Sequence, residues 1–278
     1  MLPLDGYRES FVNIAGRNLA WLDWGAHCSG APVVCLHGAM SQSHVWDRLS
    51  AGLSDSRRVI APDLRGHGDS EAASPPAYAL GHYRDDVVSL MDHMETDRFS
   101  VVGHSMGAVI GLVLAGAYPD RIERLVVVDH EAKQSSAHRQ HLHTIGSRGH
   151  KVLPDYEAMD KVARAFAPGV GDELLDWLMP YLFRRVPGGY MLKWDPTTLT
   201  MDDEWNAEPW LARIRCPVLI IRGADSEVMR ADVAESMAKR IDDCQIATIT
   251  GAGHQVMLQQ PQTFEAVVSS FLMEPSPV

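Results

Sequence analysis

The chain has 278 residues, of which 46% are hydrophobic and 22% are charged, and its formal net charge is −11. This composition predicts a soluble protein with a substantial apolar core, and the acidic balance argues against nucleic acid or an anionic membrane as the main partner. The first ten residues contain no basic stretch followed by an apolar run, so we expect no secretory signal and a cytoplasmic location.

The four cysteines show neither CxxC pairing nor metal-ligand spacing, which predicts reduced thiols. His138, His141 and His143 lie close together, but no carboxylate follows at a ligand-like spacing. We therefore expect no metal and no cofactor. A homo-oligomer remains possible.

Taken in chain order, short β-branched runs alternate with helical patterns. Continuous apolar runs of this length are typical of strands that are covered on both faces of a parallel sheet. The predicted strands are 32–38, 57–63, 99–105, 124–130, 217–223 and 244–254, and the predicted helices are 44–53, 83–95, 105–117, 231–240 and 261–272. "ESFVNIAG" and "NLAWLDWG" predict an antiparallel hairpin at one edge. The fold class is therefore α/β, with a doubly wound, mostly parallel sheet.

The alternation of predicted strands and helices is interrupted between Asp129 and Pro217. We interpret residues 131–210 as a helical cap over a core formed by 1–130 and 211–278. Trp177, Tyr181 and Tyr190 lie in this segment and are candidates for the wall of a substrate pocket, although aromatic side chains also build small cores of their own.

"VVGHSMGAVIG" places Ser105 in a G-x-S-x-G motif between an apolar strand and a helix of small residues. A serine on such a turn takes a strained backbone conformation, and Gly103 and Gly107 remove side chains that would collide there. The free N–H groups at the start of the following helix favour negative charge. Ser105 is thus a candidate nucleophile.

Four motifs in order resemble the α/β-hydrolase fold family over nearly the whole chain. Besides the serine turn they are "LHGAMSQSHVW" (36–46), "APDLRGHGDS" (61–70) and "GAGHQVMLQQP" (251–261). The resemblance implies that the N–H groups of Ala39 and Met106 form an oxyanion hole and that His254 is the catalytic base. We expect His37 to pin the oxyanion loop, and His67 and Asp69 to shape their turn.

The acid that orients His254 has two candidates. In the commonest family pattern it stands three residues after Gly223, where this chain has Ser226; Asp225 falls one residue short of that place. Asp129 ends the strand after the nucleophile helix, and parallel strands deliver their carboxyl ends to one edge of the sheet. Family members with serine at the usual place often resemble this arrangement. We therefore favour Asp129 over Asp225.

These residues predict a serine hydrolase that cleaves a small ester, lactone or amide through an acyl-enzyme on Ser105. C–C bond hydrolases, cofactor-free oxygenases and haloperoxidases share the triad and stay open as alternatives, and so does a non-catalytic small-ligand receptor. Segment 130–151 contains five histidines, four Lys or Arg residues and one acid. This local excess favours a carboxylated substrate, and the aromatic residues of the cap would suit an aromatic one.

Overall fold

A computed structural model describes residues 6–200 and 205–274. Its main feature is an eight-stranded sheet in the order β1-β2-β4-β3-β5-β6-β9-β10, in which β2 runs antiparallel to the other seven strands. The strands of this sheet are β1 (Tyr7–Ile14), β2 (Arg17–Trp24), β3 (Val33–Leu36), β4 (Val59–Pro62), β5 (Phe99–His104), β6 (Ile122–Val128), β9 (Val218–Gly223) and β10 (Cys244–Ile249). The expected α/β class and the hairpin at one edge are confirmed.

Helices cover both faces of the sheet. They are α1 (Asp47–Leu53), α2 (Leu80–His93), α3 (Met106–Ala117), α4 (Ser136–Ser147), α5 (Tyr156–Phe166), α6 (Asp172–Leu182), α7 (Ala231–Ala238), α8 (Val256–Gln259) and α9 (Pro261–Met273). Short 3-10 helices occupy Ser43–Trp46, Pro196–Leu199 and Glu208–Arg213. Among the described residues, no helix is both long and apolar enough to cross a membrane.

The strand side chains alternate between two apolar clusters, as the two-residue period of a strand requires. Val34 and Val101 pack with α2 and α3 on one face, whereas Val33 and Val102 pack with α1 and α9 on the other. The central strands are buried on both faces, and this is why their sequences read as continuous apolar runs.

The segment predicted as a cap contains more than helices. After α4, α5 and α6 the chain forms an antiparallel hairpin, β7 (Phe183–Val186) and β8 (Gly189–Leu192), which the sequence reasoning did not predict. The turn at Gly188 and Gly189, both at positive φ, joins its strands. The limits of the cap at 131–210 stay a prediction.

Candidate active site

Ser105 occupies the sharp turn between β5 and α3, with φ 51° and ψ −115°. The turn closes only because its neighbours lack side chains. A Cβ on Gly103 would stand 2.2 Å from the carbonyl oxygen of Gly107, and a Cβ on Gly107 would stand 2.1 Å from that of Leu36. The strained conformation is therefore held by close backbone packing, which presents the serine hydroxyl to a cavity.

Two backbone amides lie beside this hydroxyl. Met106 begins α3, Ala39 lies in the loop after β3, and both residues line a cavity together with Ser105. Within the described ranges neither N–H donates a hydrogen bond to another residue. Free N–H groups at such a position suit them to bind a developing oxyanion.

His37 connects the loop that carries Ala39 to the next strand end. Its Nδ1–H donates to the carbonyl of Gly38 (2.7 Å), and its Nε2 accepts the N–H of Leu64 (2.9 Å). Only a neutral ring can make both bonds, and complete burial lowers the pKa of His37 to about 4. Of the two residues predicted to shape the next turn, His67 donates its Nδ1–H to the carbonyl of Arg65 (3.0 Å), and Asp69 donates its N–H to the buried carboxylate of Asp63 (2.8 Å).

His254 and Asp129 come together at the carboxyl edge of the sheet. His254 Nδ1 lies 2.8 Å from Asp129 Oδ2, although 125 residues separate them. Asp129 follows β6 at φ 52° and is fully buried. The other candidate acid, Asp225, is exposed in the loop after β9, and its side chain makes no hydrogen bond with the described residues.

Two further donors hold the Asp129 carboxylate. The N–H of Gly223 donates to Oδ1 (3.0 Å), and the hydroxyl of Ser226 donates to Oδ2 (2.5 Å). Ser226 Oγ in turn accepts the N–H groups of Val228 and Met229. Ser226 occupies the position at which the family commonly has its catalytic acid. Here its hydroxyl donates to Asp129, the acid after the earlier strand. Sequence reasoning noted Ser226 but did not predict this contact.

The buried side chain of His104 holds the loop that carries His254. Its Nε2–H donates to the carbonyl of His254 (2.9 Å), and the two ring centroids are 4.6 Å apart. Burial lowers the pKa of His104 well below the usual value, and the neighbouring His254 adds to this effect. His104 is thus a neutral structural group, whereas His254 is partly exposed to the cavity.

Ser105 and His254 line one cavity of about 680 Å³ between the edge of the sheet and helices α4 and α5. No hydrogen bond among the described residues links the Ser105 hydroxyl to the His254 ring. Where a serine and a histidine act as nucleophile and base, this bond is often loose until substrate is bound. A second, narrow cavity of about 40 Å³ adjoins Ser105 on the side of Met106, and Ala39 lines both cavities.

The three aromatic residues predicted to form the pocket wall lie elsewhere in the structure. They are Trp177, Tyr181 and Tyr190. Trp177 donates its Nε1–H to Asp47 (2.8 Å), Tyr181 stacks on His44, and Tyr190 pairs through its backbone with Leu153. Within the described ranges none of the three lines the cavities at Ser105. Their rings instead serve packing within the cap and against the core.

Helix α4 supplies pocket residues that the sequence reasoning missed. His138, Leu142 and Ile145 line the large cavity, with Phe166 from the end of α5. Their spacing of three to four residues is a helical face, and this period could have revealed them. His138 and His141 share the cavity, but the described residues contain no group of three side chains placed to hold a metal ion.

Comparison with known proteins agrees with this geometry. The family model for the alpha/beta hydrolase fold matches residues 31–170. The 2-(acetamidomethylene)succinate hydrolase of Mesorhizobium japonicum is 24% identical over 88% of each chain, and the 2-hydroxymuconate semialdehyde hydrolase of Pseudomonas sp. is 27% identical over 89% of each chain. A crystal structure of E-2-(acetamidomethylene)succinate hydrolase, 24% identical, superposes with a TM-score of 0.86 over 96% of this chain and 100% of the other. This chain belongs to the alpha/beta hydrolase fold family.

Proposed function

We propose that the protein is a serine hydrolase that cleaves a small carboxylic ester, lactone or amide through an acyl-enzyme on Ser105. One observation carries the proposal: a serine on a strained strand-to-helix turn shares a cavity with a histidine whose Nδ1 is held by a buried carboxylate. The similarity to two hydrolases named for small organic molecules supports the coarser statement, hydrolysis of a small molecule.

The mechanism follows from the positions of these groups. With Nδ1–H donated to Asp129, His254 keeps Nε2 free to take the proton of the Ser105 hydroxyl. The oxygen then attacks the acyl carbon, and the negative charge on the former carbonyl oxygen is stabilised by the N–H groups of Ala39 and Met106. Collapse of this intermediate expels the leaving group, which takes the proton back from His254. A water molecule, deprotonated by the same ring, then releases the acid.

A fluorophosphonate reagent tests the proposal directly. The protein is treated with the reagent and its intact mass is measured, followed by peptide mapping. We expect the addition of one phosphonyl group on Ser105 and none in Ser105→Ala. A receptor that keeps only the fold would not be modified, and this result would reject the serine hydrolase. Turnover of a panel of short esters, lactones and amides then identifies the bond.

A further inference from the structure

Ser105 stands between two compartments of different composition. Ser105 and Ala39 line both cavities. Among the described residues, His254 lines only the large cavity and Met106 lines only the narrow one. The narrow cavity shares Gln134, Arg139 and Trp205 with an outer cleft of about 800 Å³. A substrate bound at Ser105 therefore has one part on the histidine side and another part towards the outer cleft.

The chemistry of acyl transfer assigns a half of the substrate to each compartment. The leaving group must receive its proton from His254, so it lies in the large cavity. The acyl half then points the other way, into the narrow cavity. This assignment rests on the proposed function.

The two compartments carry opposite charges. Arg139 is the one charged side chain of the narrow cavity among the described residues, because burial lowers the pKa of His130 in its wall to about 3. The large cavity instead contains the acids Asp225 and Glu227. A carboxylate is thus favoured on the acyl side and disfavoured on the leaving-group side.

No acid of the described residues pairs with Arg139. The acids of the outer cleft are already engaged: Glu131 accepts the N–H of Ser135, Glu208 pairs with Arg240, and Asp232 pairs with Arg230. The free guanidinium stands where the narrow cavity meets the cleft, and the amide of Gln134 lines the same two spaces.

We propose that the substrate carries a carboxylate at the far end of its acyl half and that Arg139 binds it. The substrate class is therefore a half-ester or half-amide of a short dicarboxylic acid, or a lactone of a short hydroxy-dicarboxylic acid. An Arg guanidinium binds a carboxylate with two parallel hydrogen bonds, which fixes orientation as well as charge. Gln134 supplies a further donor beside it.

Two phosphonates that react with Ser105 itself provide the test. Ethyl 4-nitrophenyl propylphosphonate places phosphorus at the acyl carbon, and its analogue replaces the terminal methyl group of the propyl chain by a carboxylate. In both, the Ser105 oxygen bonds to phosphorus, the P–O bond to the aryl group breaks, 4-nitrophenolate leaves, and the hydroxyl proton passes to His254. The release of nitrophenolate gives the second-order rate of inactivation, and mass mapping confirms the site.

We expect the carboxylate reagent to inactivate the wild type about fivefold faster than the neutral one, which is the upper effect of one ion pair with an exposed guanidinium. Arg139→Gln should abolish this preference, measured as the ratio of the two inactivation rates. Arg148→Gln is the matched control, since Arg148 is an exposed residue at the end of the same helix that lines neither cavity.

Equal rates for the two reagents, with Ser105 labelled by both, would overturn the carboxylate assignment while the proposed function stands. A preference that survives in Arg139→Gln, or that falls equally in Arg148→Gln, would overturn the role of Arg139. Failure of both reagents, and of the fluorophosphonate, to label Ser105 would reject the proposed function and this inference with it.

Discussion

Replacing Asp129 by Asn keeps the shape of the acid but changes its hydrogen bonds. The carboxylate accepts three donors, from Gly223, Ser226 and His254. An Asn side chain has only one acceptor oxygen. The backbone N–H of Gly223 can only donate a hydrogen bond, so the amide oxygen must face Gly223. The amide NH₂ then faces Nδ1 of His254. The ring can move its proton to Nε2, and in that tautomer it cannot take the proton of Ser105.

This change acts on the chemical step, because the nucleophile, the oxyanion donors and the pocket are retained. We expect kcat to fall by about 10⁴-fold, as for other triads with this substitution, or about 5 kcal/mol of activation free energy. The assay is hydrolysis of 4-nitrophenyl butanoate at saturating substrate, with circular dichroism and thermal unfolding to confirm that the variant is folded.

Asp225→Asn is the matched control. Asp225 is exposed, and its backbone, not its carboxylate, makes the bond to Ala252 (2.9 Å). Asp225 lines the large cavity, but its carboxylate makes no hydrogen bond with the described residues, so we expect this variant to keep kcat for the neutral ester within about twofold. If Asp225→Asn abolished turnover and Asp129→Asn did not, the assignment of the acid from the hydrogen bonds would be wrong.

Three further changes test the packing around the site. Ser226→Ala removes a buried donor to the Asp129 carboxylate, so urea denaturation should show a loss of about 1.5–3 kcal/mol in the free energy of unfolding; an unchanged value would mean that the bond contributes nothing. Gly107→Ala would place a Cβ 2.1 Å from the carbonyl of Leu36, and we expect a lower melting temperature from at least about 1–3 kcal/mol of overpacking, whereas a wild-type melting temperature would contradict this packing. His37 has a folded-state pKa of about 4, below its unfolded value, so the unfolded chain takes up the proton first as the pH falls and stability decreases. From about pH 7 to about pH 5 the wild type should lose about 2 kcal/mol more than His37→Asn, and identical losses in urea titrations would show that this ring is not held neutral.

Local sequence was sufficient for most of the fold. The six predicted strands and five predicted helices of the core are all present, because apolar periodicity depends on near neighbours. Most ends agree within three residues, but the last strand ends at Ile249, five residues before the predicted end. The turn at Ser105 could also be predicted from sequence, because the need for glycine at positions 103 and 107 arises within the motif itself. The hairpin at 183–192 was missed because its strands of four residues are short and follow a helix that runs directly into them.

The sequence by itself thus determined the elements, their order and the turn that carries the serine. Only the tertiary structure decided which acid reaches His254, that Ser226 supports this acid, and that Arg139 rather than Trp177 lines the space beside Ser105. Strand-end side chains are aimed by the register and twist of the assembled sheet, and cap side chains by how their helices pack on it. These relations join residues far apart in the chain. Motif position favoured Asp129 over Asp225, but it predicted neither the contact with Ser226 nor the lining of the cavities.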